Sequence, residues 1–395
     1  MTFVEWAASN QLPLLFYGAI ILLIILLRHK FEWQGFAMGI CRTNTGLKLM
    51  TRWGTKHRGL LTVFGYIGIG IGFAGMGLIM WSLLHGAWKF VTDIAAPPVV
   101  TPVIPGFAVP GFGGLEVPLI TGWVALFALL VIHEFSHGLV SVAHRIPVKS
   151  SGLLVFGPLF GAFVEPDEKK VDREHETVNY AISAAGPWSN ILTAGIAIVL
   201  SIILIAPLGA WASPNDGVLI KNVPEGYPAA LAGMTAGSVI TSVDGVPVTT
   251  RAELSTQLDP VPPGAMVTLG TSAGAFTLET AVNPENPQSQ KGYVGVIIDE
   301  HRAARASGPF WTGIAFAARK IELFFYWFVL LSLGIGLANL LPIGPLDGGR
   351  MFRLAAQQVT GDQKRGDWWW KKISIVTVVL LVGLLLFPLV RWLVA

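Results

Sequence analysis

Two histidines four residues apart, with a glutamate after the first, form the part of this chain best suited to chemistry: His133-Glu134-Phe135-Ser136-His137. On a helix, positions i and i+4 share one face, so both imidazoles can reach one ion. Glu134 sits beside that face, where a carboxylate can take a proton from a polarised water. The stretch from Leu119 to Ser141 is otherwise apolar. Ionisable groups at bilayer depth are costly unless paired or metal-bound. Two histidines packed against neighbouring helices are the competing reading.

A catalytic zinc takes three protein ligands and keeps one position open. The lone cysteine, Cys41, excludes a Cys-based site and any internal disulfide framework. The third ligand is then best sought as an acid at membrane depth far along the chain. Asp347 qualifies, within Asn339-Leu-Leu-Pro-Ile-Gly-Pro-Leu-Asp-Gly-Gly349. Gly344, Gly348, Gly349, Pro342 and Pro345 mark a broken helix, tolerated at that depth where protein buries it or water reaches it. Asp347 as a simple helix N-cap is the alternative. Asn190 and Asn339 are neutral hydrogen-bonding groups that could hold a peptide strand or steady an oxyanion. Ordinary interhelical hydrogen bonds would also account for them. His144, seven residues after His137, reads as an interface residue.

These groups need elements to position them, and the composition says which kind. Of 395 residues, 53% are hydrophobic and 13% charged, about half the charge of a soluble domain, and mean hydropathy is +0.61. An ordinary soluble enzyme and a disordered chain are both excluded. The net charge of +3 lies beside apolar runs, which suits a membrane surface and not nucleic acid. Runs of spanning length fall at roughly 11–27, 60–84, 119–143, 178–207, 312–341 and 373–394, so about six transmembrane helices are expected. Glycines and prolines make 60–84 and 312–349 the least regular of these. Met1 to Asn10 has no Lys or Arg and carries Glu5, so the first run is expected to be a span and not a secretory leader. Between the first two runs lie seven bases and one acid, Glu32, whereas 85–118 has only Lys89 as a base. The positive-inside rule then places 28–58 and 149–177 in the cytoplasm, and both termini and 210–305 outside.

Residues 210–305 separate two membrane regions, 1–209 and 306–395. They carry nine acids against five bases and short β-rich runs at 217–220, 238–243, 265–269 and 293–298. Asp244-Gly245 is a hairpin signal. The stretch Gly226 to Gly245, with Pro228-Ala-Ala, Ala232-Gly233 and Val243-Asp-Gly245, resembles the core of a PDZ domain, although Ser238 stands where that family usually has Asp. The resemblance implies an extracytoplasmic α+β module that takes extended peptides by strand addition. The run 150–164 is too short to span and rich in glycine. It suits a re-entrant β-hairpin with an available strand edge. Glu165, Asp167, Glu168, Lys169, Lys170 and Asp172 read as a solvated loop.

Together, His133-Glu-Phe-Ser-His137, the Asn339–Gly349 segment and the insert between them resemble the site-2 protease family of intramembrane zinc metalloproteases, archaeal members included. The resemblance covers roughly 119–350. It implies that His133, His137 and Asp347 bind one zinc per chain and that Glu134 is the general base. Ser183-Ala-Ala-Gly-Pro-Trp-Ser-Asn190 is similar to the family's Gly-Pro-x-x-Asn stretch. Gly157 to Pro166 is similar to its membrane-embedded β-loop, which implies substrate contacts at Gly161 and Phe163. The function implied is hydrolysis of peptide bonds in or near transmembrane segments of membrane-protein substrates, as in regulated intramembrane proteolysis, within the bilayer and nearer the cytoplasmic side. A zinc-binding transporter or channel and a non-catalytic PDZ scaffold are the other two classes open at this point.

Overall fold

Five described helices are long and apolar enough to cross a membrane. The computed structural model describes residues 10–394, apart from 36, 37, 94, 95, 113, 114, 285, 287 and 304–307. Two units emerge: Met1–Val199 with Leu323–Ala395, and Leu200–Glu322.

In the first unit, α1 (Gln11–Leu26) has 16 residues. At 1.5 Å per residue it reaches about 24 Å, short of a hydrocarbon core of ~30 Å. This is where the expectation of six spans meets five long helices. After the short helix α2 (Leu47–Lys56) comes α3 (Arg58–Thr92), one unbroken helix of 35 residues. Its glycines do not interrupt it. Gly65, Gly68, Gly72 and Gly75 form a stripe on which a Cβ would come within 3.1 Å of Ala181, 3.2 Å of Trp188, 2.8 Å of Met351 and 2.5 Å of Leu340. Small residues here let helices approach closely, as membrane packing requires. The remaining described helices of eight residues or more are α4 (Leu119–Ala143), α5 (Glu176–Leu200), α6 (Arg251–Leu258) in the second unit, α7 (Pro309–Ala338), α8 (Asp347–Thr360) and α9 (Gln363–Val394). Beyond Leu200 the helix of α5 continues through a π-helical turn, Ser201–Ile205, to Ala212.

The stretch 150–164 lies in two antiparallel strands, β3 (Val148–Phe156) and β4 (Leu159–Pro166), turning at Gly157 with φ 56°. The pair is not an isolated hairpin. Residues of the basic segment 28–58 supply β1 (Glu32–Gln34) and β2 (Met38–Thr43), giving a sheet of order β1-β2-β3-β4. Arg42 explains part of this, bonding Glu32 on β1 and Glu165 on β4. With β3 covered by β2, the long free edge belongs to β4.

The second unit holds β5 (Asn215–Asn222), β6 (Val239–Val243), β7 (Val246–Pro247), β8 (Met266–Thr271), β9 (Gly274–Glu279) and β10 (Ile297–Arg302), ordered β10-β5-β6-β8-β9 with β7 on β6. Val218, Ile220, Ile240 and Leu269 are fully buried in its core. Asp244 and Gly245 turn the β6–β7 hairpin with φ of 48° and 80°, the positive pair of a primed turn. The run 293–298 becomes a strand only at Ile297, because Gly295 at φ 79° turns the chain first.

Candidate metal centre

α4 carries the histidines and stops sharply after them. Arg145 takes φ 66°, Ile146 N–H donates to the Ser141 carbonyl at 2.9 Å, and Arg145 N–H donates to the Val142 carbonyl at 2.9 Å. These are the paired bonds of a Schellman cap. Ile146 is buried beneath it, and the chain reverses into β3, so the sheet returns alongside the histidine helix.

His133 Nε2 lies 3.1 Å from Asp347 Oδ2, and His137 Nε2 lies 3.4 Å from the same oxygen. The three ligand atoms fall within 4.8 Å of one another. Ligands about 2.0–2.1 Å from a tetrahedral zinc stand ~3.3 Å apart, close to the two spacings seen. The second nitrogens are also engaged. His137 Nδ1 donates to the Ile182 carbonyl at 2.7 Å, which leaves Nε2 with its lone pair. His133 Nδ1 lies 3.3 Å from the side-chain amide of the fully buried Asn190. The amide nitrogen faces the ring here, and the Asn190 oxygen has no partner among the described residues. An imidazole offering Nε2 to an ion carries its proton on Nδ1, and turning the amide over would give that proton the unpartnered oxygen as acceptor. Gly186 supplies the room: a Cβ there would lie 2.4 Å from His137 Nε2 and 2.5 Å from His133 Nε2. Two imidazoles and one carboxylate, oriented from behind around space that a Cβ would fill, fit one divalent ion of zinc's preferences.

Asp347 opens α8 without capping it; Leu346 holds the cap position and no side chain bonds the helix N-terminus. The preceding loop is tied by Gly348 N–H donating to the Asn339 carbonyl at 2.8 Å. A Cβ at Gly348 or Gly349 would sit 2.1 Å from the Leu340 carbonyl oxygen or 2.0 Å from that of Ile343. Glycine is therefore required for the loop to close against α8, and this closure carries the Asp347 carboxylate to the histidines. Asn339 contributes backbone to the loop, and its side-chain amide makes no hydrogen bond among the described residues.

Glu134 stands outside the ligand cluster. Its Oε2 accepts from the Val164 N–H at 3.0 Å, which joins the putting-together of α4 and β4 at the site. A residue of an antiparallel strand presents both backbone groups to one side, alternating along the strand. Since Val164 faces away from β3, so do Ala162 and Phe160. Gly161 and Phe163, expected to face substrate, turn their backbone groups to Leu154 and Gly152 of β3. A shift of one residue reverses this parity, and composition does not set it. Phe160 is steadied by stacking on Trp123 of α4, with centroids 4.2 Å apart. The Ile182 carbonyl, the Gly186 gap and the Val164 amide are the site features that residue types alone do not single out. The Gly186-Pro187 pair inside an apolar helix was the one visible signal.

Apolar helices around a two-histidine, one-aspartate centre with an adjacent glutamate define a membrane protein with a metallopeptidase-type site. The family model of peptidase family M50 matches residues 121–382, and the chain belongs to that family. It is 26% identical over 339 residues to the uncharacterized protein MJ0971 of Methanocaldococcus jannaschii, covering 84% of this chain and 82% of that one. It is 26% identical to the regulator of sigma-E protease RseP of Escherichia coli, over 46% of this chain and 51% of that protein. It is also 26% identical to the zinc metalloprotease RasP of Shouchella clausii, over 45% of this chain and 50% of that protein. The chain thus aligns with about half the length of each of these two proteases. Among solved structures, the PDZ domain of an SdrC-like protein from Listeria innocua matches 22% of the chain and 97% of that domain, with 23% identity and a TM-score of 0.19.

Proposed function

We propose that this protein is an intramembrane zinc endopeptidase that hydrolyses peptide bonds in or beside transmembrane segments of other membrane proteins. The observation that carries the reading is the meeting of His133 Nε2, His137 Nε2 and Asp347 Oδ2, with the Glu134 carboxylate held beside them. His133, His137 and Asp347 would hold one zinc, which when bound supplies Lewis acidity toward water and toward the scissile carbonyl. Glu134, with one oxygen fixed by Val164, takes the proton of the attacking water through the other and returns it to the leaving amine. A transmembrane helix hides its carbonyls, so the substrate is unwound and added as a strand to the β4 edge at Ala162 and Phe160. The free Asn339 amide is the group for the substrate carbonyl or the developing oxyanion.

In this reading β3 and β4 lie within the bilayer, α1 completes a set of six spans, and the metal centre is nearer the cytoplasm. The N-terminus and the unit 200–322 are extracytoplasmic. That unit offers a groove of about 280 Å³ between α6 and the 292–298 segment, lined by Leu254, Leu258, Val294 and Ile298, which suits an extended peptide. The purified chain should contain one zinc and cleave a model transmembrane substrate, whereas Glu134→Gln should retain zinc and not cleave. Equal cleavage by both proteins would remove the proposal.

A further inference from the structure

β4 ends at Pro166, and Pro166 lines a cavity of about 820 Å³. The opposite walls come from Ile182 and Ser183 of α5 and from Arg350 and Arg353 of α8. The cavity therefore adjoins the metal centre from behind: the Ile182 carbonyl holds His137, and Arg350 is one helical turn past Asp347. A chain added to the β4 edge, passing Glu134 at Val164, runs at Pro166 into this space.

The cavity has a sign. Glu168, Asp172, Glu174 and Glu176 line it, whereas Lys169, Lys170 and Arg173 of the same segment do not. Its two arginines are already engaged. Arg350 pairs with Glu168 at 3.7 Å, and Arg353 is held by both oxygens of Asp367 at 2.7 and 3.0 Å. Asp172, Glu174 and Glu176 have no ion pair among the described residues, and Glu176 accepts only from the neutral Gln358 amide, at 2.6 Å. Arg353 feels the charge of Asp172, but the four carboxylates that line the cavity outnumber its two arginines, one of which is held by Asp367.

Ser183 supplies an independent observation. It is 8% exposed and lines the cavity, yet its hydroxyl makes no hydrogen bond among the described residues. Ser136 and Ser141, also helical, bond back to the carbonyls of Ile132 and His137. In addition, Pro187 lacks the N–H that would close on the Ser183 carbonyl. A buried residue with its hydroxyl unpartnered and its carbonyl without a helical donor points to a bound backbone or water.

What enters must be polar, cationic and continuous with an apolar strand. Transmembrane segments have this character at one end, because their cytoplasmic flanks are rich in Lys and Arg. We propose that the cavity between residues 166–183 and α8 is the subsite that receives the basic flank of a transmembrane segment whose apolar part is paired with β4. Glu168 and Asp172 are exposed, as a solvated loop requires, and with Glu174 and Glu176 they form the part of the protein that reads the substrate's charge. The proposal rests on the proteolytic reading for its purpose, but binding tests it without cleavage.

The experiment uses full-length Glu134→Gln protein in zwitterionic nanodiscs, so that peptides stay intact. Three fluorescent peptides share one apolar transmembrane segment and differ only in a flanking run of lysine, serine or glutamate. The lysine peptide should bind about tenfold tighter than the serine peptide, and the glutamate peptide more weakly still. At 1 M salt, where the Debye length is about 3 Å, the three should converge. Combining Asp172→Asn, Glu174→Gln and Glu176→Gln should abolish the preference, with zinc content and thermal midpoint as checks of folding. Asp172→Lys with Glu174→Lys should invert it. Equal binding of the three peptides, which needs no cavity variant to observe, overturns the proposal, as does a preference that survives the triple substitution. Cleavage of the same peptides by the wild-type chain reports separately on the protease reading. Charge preference without cleavage would leave the subsite standing and remove the peptidase.

Discussion

The metal centre and the start of α6 in the inserted unit differ in how far apart in sequence their polar partners lie. Around the metal centre, His133 meets Asp347 across 214 residues, Asn190 meets His133 across 57, and His137 meets the Ile182 carbonyl across 45. At the start of α6 the polar bonds are local: Thr250 caps Glu253 three residues on, and Glu253 reaches back to Thr249 across four. The first arrangement commits side chains to a site and leaves the helices to be held by apolar and small-residue packing. The second commits side chains to the ends of elements. Substitutions in the first region should therefore remove chemistry with the fold intact, and substitutions in the second should remove stability with the chemistry intact.

The largest test of this contrast is Asp347→Ala. One zinc per chain should fall to near none, and hydrolysis should drop by roughly 10³-fold or more, because a tetrahedral site cannot spare one of three protein ligands. Metal analysis and turnover of a transmembrane substrate measure both. His133→Ala and His137→Ala should behave alike. Full metal occupancy with full turnover in the Asp347 variant would break the site as described. Glu134→Gln separates the roles within it: zinc stays, and turnover falls by roughly 10²–10⁴-fold, the usual contribution of a positioned base.

A smaller and sharper test concerns the groups behind the ligands. Gly186→Ala places a methyl group against both Nε2 atoms, where the gap is only 2.4–2.5 Å. Zinc affinity should fall by about 10- to 100-fold, as for other losses of support around a metal. Asn190→Ala should weaken zinc within the same range by releasing the His133 ring. Competition with a chromophoric chelator reads both. If Gly186→Ala binds zinc as tightly as the wild type, the space attributed to that glycine lies elsewhere.

These tests also separate what can be read from residues from what needs the fold. The H-E-x-x-H pair announces itself through spacing, and Asp347 through being an acid in a glycine- and proline-broken apolar run. The insert declares its turns through Asp244-Gly245. The β1–β2 pairing onto β3 was hidden, because Met38–Thr43 lies in a segment whose clearest signal is positive charge. The glycines of α3 read as interruptions, since a packing stripe shows itself only once its partners Ala181, Met351 and Leu340 are in place. The outward parity of Phe160 and Ala162 depends on register, which one backbone bond, Val164 to Glu134, reveals.

The smallest expected effect lies in the inserted unit, at the start of α6. Thr250 Oγ1 accepts from Glu253 N–H at 3.2 Å, and Glu253 Oε2 accepts from Thr249 N–H at 2.7 Å. The first satisfies a donor that the helix start leaves open, and the second ties the residue before the cap to the first turn. Thr250→Ala should lower the stability of this unit by ~1 kcal/mol, read from denaturant unfolding, and leave zinc content unchanged. The Glu253 part should titrate. Its backbone and hydroxyl donors from Thr249 hold the carboxyl below its ordinary value of 4.5. A depressed folded pKa means that its stabilisation is complete above the ordinary value and is lost as pH falls through the lowered one. Acidification below about pH 4.5 should therefore weaken the wild-type unit through Glu253, and Glu253→Gln should flatten that part of the dependence. The Thr250 bond uses a hydroxyl and a backbone N–H, neither of which titrates there, so Thr250→Ala should lower stability across the whole range. A Thr250→Ala protein that loses zinc would contradict the separation of site from insert on which the comparison rests.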